Sequence, residues 1–206
     1  MKKILIIEPH ADDCILGCFT QLYNEYSVDV ITVSSGKPEE VIRREKAIQE
    51  VIKHYRKFKD TQHFFFKEGD RKLNNPHLTL ERIQGIIDTK KYDVIFYAEK
   101  EGCHPLHDEL YDLMKFVDTK DAKCYVYPVY GKLTLDKIHT IFINKITPKP
   151  LGFGYIPKLK VKYMIHKLTK EESDEKWKAM FMYRLIAEEE YIRMNPYEVE
   201  SCKRVK

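Results

Sequence analysis

Two short runs hold most of the side chains able to do chemistry: Pro9-His10-Ala11-Asp12-Asp13 and His104-Pro105-Leu106-His107. A histidine nitrogen and a carboxylate oxygen are good ligands for zinc or a similar divalent ion. A second carboxylate beside them, left unligated, is placed to take a proton from water that the metal activates. Two histidines three apart across a proline can present one imidazole to a metal and the other to a substrate carbonyl. Each run alone has an ordinary explanation, since Asp12 and Asp13 can cap a following helix and a His-x-x-His pair is common. Two of them, each after a strand and before a helix, are much less readily a coincidence.

The elements that must position these runs follow from periodicity. Strand-like stretches at Lys3–Ile7, Val28–Ser34, His63–Phe66, Val94–Tyr97 and Cys124–Val129 alternate with helical stretches at Cys14–Tyr26, Pro38–Phe58, Leu78–Asp88 and Leu106–Val117. In the second helix Val41, Ile48, Val51, Ile52 and Tyr55 recur at three- and four-residue steps and form an apolar face. Strand and helix alternating in this way predict an α/β fold with a parallel sheet. In such sheets ligands bind beyond the carboxyl ends of the strands, where both runs fall. Lys137–Asn144 reads as a further strand, Thr147–Gly154 as a loop, and a last long helix begins near Thr169, whose Thr-Lys-Glu-Glu start offers a capping box, and ends before Asn195-Pro196.

Composition excludes several classes. A chain of 206 residues, 43% hydrophobic and 33% charged, predicts one soluble globular domain over 1–206. No run approaches a membrane span, and the apolar start meets Glu8 too soon for a signal peptide. Five scattered cysteines without a Cys-x-x-Cys pair predict reduced thiols and a cytoplasmic location. The net charge of +4 arises from 36 basic residues among 32 acidic ones and predicts no nucleic-acid partner; Lys158–Lys162 and the tail Lys203–Lys206 read as solvated or fraying segments. Segment 8–16 has no glycine and presents carboxylates, which argues against a phosphate-binding nucleotide module.

With these residues in view, the chain resembles the LmbE-like or PIG-L zinc deacetylases, which carry His-Pro-Asp-Asp-Glu after strand one and a later His-Pro-Asp-His. The counterparts are Pro9-His10-Ala11-Asp12-Asp13-Cys14 with Leu16-Gly17 following, and His104-Pro105-Leu106-His107. Glu68–Leu73 is similar to the family's Asp/Gly loop, and Lys178–Tyr191 to its lysine- and tyrosine-bearing last helix. The resemblance implies a three-layer Rossmann-like fold with a mostly parallel sheet flanked by helices. It implies one Zn2+ per chain, with Fe2+ or Mn2+ as alternatives, held by His10, Asp13 and His107. It further implies Asp12 as general base, His104 as stabiliser of the oxyanion, and a small N-acetylated amino sugar or conjugate as substrate. Arg43 and Arg44 fall near the family's substrate-binding arginine, and Phe153 and Tyr155 are candidates for a sugar-stacking wall.

Three positions depart from that pattern. Ala11 stands for proline, and Cys14 for glutamate, which removes a supporting carboxylate and puts a thiol near the metal. Leu106 stands for the aspartate that keeps the oxyanion histidine charged, so His104 should be harder to protonate unless Asp108, Glu109 or Asp112 substitutes. A metal-binding relative without turnover and a phosphoesterase are the rival readings on the same residues. His54, His63, His77, His139 and His166 lack ligand-spaced partners and read as structural.

Overall fold

In the computed structural model, residues 2–24, 27–55, 61–100, 102, 104–129, 164–187 and 199–205 are described. The first strand, β1 (Lys3–His10), runs between β2 (Ser27–Ser34) and β4 (Val94–Ala98), both parallel to it; β3 (His63–Phe65) lies outside β2, and β5 (Lys123–Tyr127) outside β4. The helices α1 (Asp13–Tyr23), α2 (Val41–Tyr55), α3 (Pro76–Thr89) and α4 (Pro105–Leu113) connect them, and α5 (Lys170–Ala187) follows later in the chain. The strand order β3-β2-β1-β4-β5 is extended by β7 (Val199–Arg204), antiparallel to β5, and then by β6 (Met164–Lys167), antiparallel to β7. This is the expected α/β sheet.

The pleat of β1 divides the core. Ile4 and Ile6 face a layer made with Ile15 and Phe19 of α1, Ile48 and Val51 of α2, and Met180 and Tyr183 of α5. Leu5 and Ile7 face the opposite layer, with Ile83 of α3 and Leu106 and Leu110 of α4. A strand buried on both sides reads as a continuous apolar run because neither face meets water. Gly17 marks where α1 crosses Tyr127: a Cβ there would sit 2.2 Å from the tyrosine ring, so a larger residue would push helix and sheet apart.

Several sequence expectations shift. β1 continues through His10, which pairs in register with Ser34, so this histidine closes the strand and does not follow it. α2 starts at Val41, because 37–40 form a turn in which the Lys37 carbonyl and the Glu40 carboxylate bond each other's backbone amides. α3 starts earlier than expected, at Pro76, with Asn75 capping the Leu78 amide. The tail does not simply fray: Arg204 and Lys203 pair with Tyr125 and Val126, so a tertiary partner overrides local polarity. The capping box of α5 forms as expected, with Glu172 accepting from the Thr169 amide and the Thr169 hydroxyl from the Glu172 amide. The expected strand 137–144, loop 147–154, the Phe153–Tyr155 wall and the end of the last helix lie outside the described residues. Among the described residues no helix is long and apolar enough to cross a membrane.

Candidate active site at the switch point of the sheet

The chain leaves β1 towards β2 and β3, then returns to the other side of β1 to form β4 and β5. At such a reversal two adjacent strands send their connections to opposite faces, opening a crevice at their carboxyl ends. His10 ends β1, while His104 and His107 enter α4 shortly after β4, so both motifs flank that crevice. His104 and His107 sit one turn apart at the start of α4. Leu106, between them, points into the apolar layer and is fully buried.

Three donor atoms converge. His10 Nδ1 lies 3.1 Å from His107 Nε2, and Asp13 Oδ2 lies 3.5 Å from His10 Nδ1 and 3.2 Å from His107 Nε2. Donors about 2.0–2.2 Å from a tetrahedral zinc stand roughly 3.3–3.6 Å from each other, so the triangle has the size such an ion requires. His10 Nε2 is 2.9 Å from the Asp70 carbonyl oxygen, which can only accept. The proton of neutral His10 is thereby assigned to Nε2, and the Nδ1 lone pair faces the triangle. His104 also brings a ring nitrogen within 4.8 Å of those of His10 and His107, making the three histidines a group able to hold a metal.

The electrostatics call for a cation. Asp13 is buried, and although burial alone would raise its carboxyl, His107 and His10 hold it well below the usual carboxylate range. Burial would push His10 down, yet the Asp13 carboxylate, helped by the Asp70 carbonyl, lifts it to about 9. In metal-free protein a proton on His10 is therefore the counter-charge to Asp13, a place a divalent ion would take. The donor set fits a metal.

Asp12 stands beside the triangle without joining it. Burial raises its carboxyl above the usual range, with Asp13 adding to the rise, while Arg44, whose Nη2 lies 3.2 Å from Oδ1, opposes it. Arg44 in turn donates from Nε to the Tyr183 hydroxyl of α5 at 2.9 Å. Gly36, at φ +91, makes room for this arginine, since a Cβ there would sit 2.7 Å from its Nη1. Arg44 thus supports Asp12; Arg43 is half-buried on the same helix, and the described contact to Asp12 belongs to its neighbour. Burial, with His10 and His107 beside it, pulls His104 down to about 4, in line with the expected effect of Leu106. The acidic groups that oppose this are Asp13 and Asp70. Glu109 turns to the Leu73 amide and Asp112 to Lys100 and Lys115, while Asp108 accepts from the Gly102 amide.

The neighbourhood of Cys14 holds a carboxyl group that spacing did not indicate: Glu8 reaches across from β1 to the Cys14 amide at 3.0 Å. The Cys14 thiol is fully buried against Glu8, which raises it well above the usual thiol range and keeps it protonated. Glu8 also accepts from Thr32 Oγ1, itself 2.7 Å from His63 Nε2, so His63 belongs to a buried polar line running behind the site. Asp70 and Tyr183 fall in the two segments that resemble the family's Asp/Gly loop and last helix, without having been singled out there; Glu8 was not read as a site residue, although a carboxylate inside a doubly buried strand was a signal for it.

No family model and no curated protein matches the sequence. Solved structures do match in shape. A zinc-inhibited form of a teicoplanin deacetylase aligns over 100% of this chain and 99% of its own, with a TM-score of 0.67 at 15% identity. An N,N'-diacetylchitobiose deacetylase from Pyrococcus horikoshii aligns over 89% of this chain and 70% of its own, with a TM-score of 0.58 at 15% identity. The 4-carboxy-2-hydroxymuconate hydratase of Pseudomonas putida aligns over 100% and 97%, with a TM-score of 0.64 at 12% identity.

Proposed function

We propose that this chain, which has the fold of the LmbE-like deacetylases, is a metal-dependent N-deacetylase acting on an N-acetylglucosamine-like sugar or sugar conjugate. The observation that carries the reading is the triangle of His10 Nδ1, Asp13 Oδ2 and His107 Nε2, with a second carboxylate beside it facing Arg44. His10, Asp13 and His107 would hold the ion, zinc by ligand type, with iron or manganese as alternatives. Bound there, it would supply Lewis acidity, lowering the pKa of water towards about 7 and polarising the amide oxygen.

Asp12 takes the proton of the attacking water and hands it on to the departing amine. Arg44 favours the ionised form that a base must have. His104 is neutral at physiological pH, so it donates an N–H hydrogen bond to the developing oxyanion as an imidazole and not as an imidazolium. The hydratase neighbour shares the same fold, so the choice of amide hydrolysis rests on the two histidine motifs.

The test is metal analysis of purified protein together with amine release from a panel of N-acetylated amino sugars, with and without chelator. A 2-hydroxymuconate-type acid is run alongside. About one metal per chain and chelator-sensitive amine release is the expected result, with Asp12→Asn lowering kcat by about 10²–10⁴ while metal stays bound. Turnover of the unsaturated acid alone, or full activity of Asp12→Asn, would overturn the reading.

A further inference from the structure

We infer that Glu8 is a positioning residue for the general base: it caps helix α1 in place of Asp12 and so leaves the Asp12 carboxylate facing the reacting centre. The inference rests on Asp12 being that base. Asp12 occupies the N-cap position of α1, where an aspartate side chain ordinarily accepts from the amide two or three residues on. An aspartate folded back in this way is a structural cap, its oxygens engaged by backbone. Asp12 makes no such bond, and Oδ1 instead meets Arg44.

The donors that would draw it back are already taken. The Cys14 amide donates to Glu8 Oε2 at 3.0 Å, and the Ile15 amide to the backbone carbonyl of Asp12 at 3.1 Å. Glu8 is fully buried on the pleat of β1 that faces α1, and its other oxygen is held by Thr32, which His63 holds in turn. Asp13, next along, accepts the His10 amide at 2.8 Å through the oxygen that also faces His107. Three carboxylates around one turn therefore divide three tasks: Glu8 caps the helix, Asp13 faces the imidazoles, and Asp12 is left to face the substrate side with Arg44.

The experiment compares Glu8→Ala, Glu8→Asp and Glu8→Gln with the parent, by crystal structure and by kinetics. Glu8→Asp keeps a carboxylate but is one methylene too short for the Cys14 amide, so it answers the question even if Glu8→Ala does not fold. In the Ala and Asp variants the Asp12 carboxylate should turn from Arg44 to the Cys14 amide. The kcat should fall about tenfold or more at nearly unchanged KM, since the base is in place only part of the time. Metal content should hold. Glu8→Gln, whose carbonyl still accepts from Cys14, should recover most of the loss, and Glu8→Asp should have no further effect in an Asp12→Asn background. Asp12 remaining on Arg44 in the variant structures would overturn the inference, as would a loss of metal accounting for the loss of rate. The structural readout is independent of turnover, so a parent protein with no deacetylase activity would count against the proposed function and not against this capping role.

Discussion

Asp13 and Asp29 are both buried carboxylates on the same sheet system, at opposite ends of the strands, and they are neutralised in different ways. Asp29, near the start of β2, accepts from Lys90 Nζ at 2.6 Å, the Tyr92 hydroxyl at 2.7 Å and the Gln62 amide at 2.7 Å. Its counter-charge is the Lys90 ammonium. Asp13 has histidines, whose charge is optional, and no lysine or arginine in its described ion pairs. A buried carboxylate with a permanent cation and several donors is a completed structural joint. One surrounded by optional cations keeps its demand for positive charge open, and a divalent ion meets that demand.

Exchanging the charge for an amide at each place separates the two. Asp13→Asn should weaken metal binding by about 100-fold or more, beyond what loss of a supporting partner does, and should cost metal-free protein about 2–3 kcal/mol near neutral pH, because His10 loses the carboxylate that holds its proton. Competition with a chromogenic chelator and urea unfolding read the two quantities. Asp29→Asn should cost about 3 kcal/mol because Lys90 loses its counter-charge, with metal affinity unchanged. Equal behaviour of the two variants would break the comparison.

Arg44 tests the middle case, a permanent cation placed beside a carboxylate that must stay reactive. Arg44→Ala should lower kcat/KM about tenfold, and the acid limb of its pH profile should move to higher pH, because Asp12 loses the group that pulls its carboxyl down. An unmoved limb would detach Arg44 from the base.

Glu8 gives the most gradual effect, spread over several pH units. Burial pushes it up to about 8 from an ordinary 4.5, while burial pulls His63 down to about 3 from 6.5. A carboxyl raised on folding contributes stability at low pH that is lost as pH rises through its folded value. The parent should therefore lose stability relative to Glu8→Gln between about pH 4.5 and 8, by at most about 1.4 kcal/mol per pH unit. The buried His63 acts with the opposite sign, losing stability as pH falls from 6.5 towards 3. Urea midpoints of the two metal-free proteins across this range measure the slope; parallel pH curves would show Glu8 ionised in the fold.

Much of this was written locally. The apolar runs of β1, β2 and β4, the amphipathic face of α2, the Thr169 capping box and the placing of both histidine motifs at strand ends follow from spacing along a few consecutive residues, and side-chain spacing is set by local backbone geometry. So was the effect of Leu106: an apolar residue between His104 and His107 cannot supply a charge to either.

Only the tertiary structure decided which distant groups meet. His10 and His107 are 97 residues apart and converge because the strand order reverses between β1 and β4. Arg44 reaches Asp12 through the register of α2 on the sheet, the tail Lys203–Arg204 becomes a strand because β5 offers it an edge, and Glu8 meets the Cys14 amide because a strand and a helix pack face to face. Local pattern specifies what each segment can be; which donor finds which acceptor across the core depends on packing between segments, and that is decided by the whole chain at once.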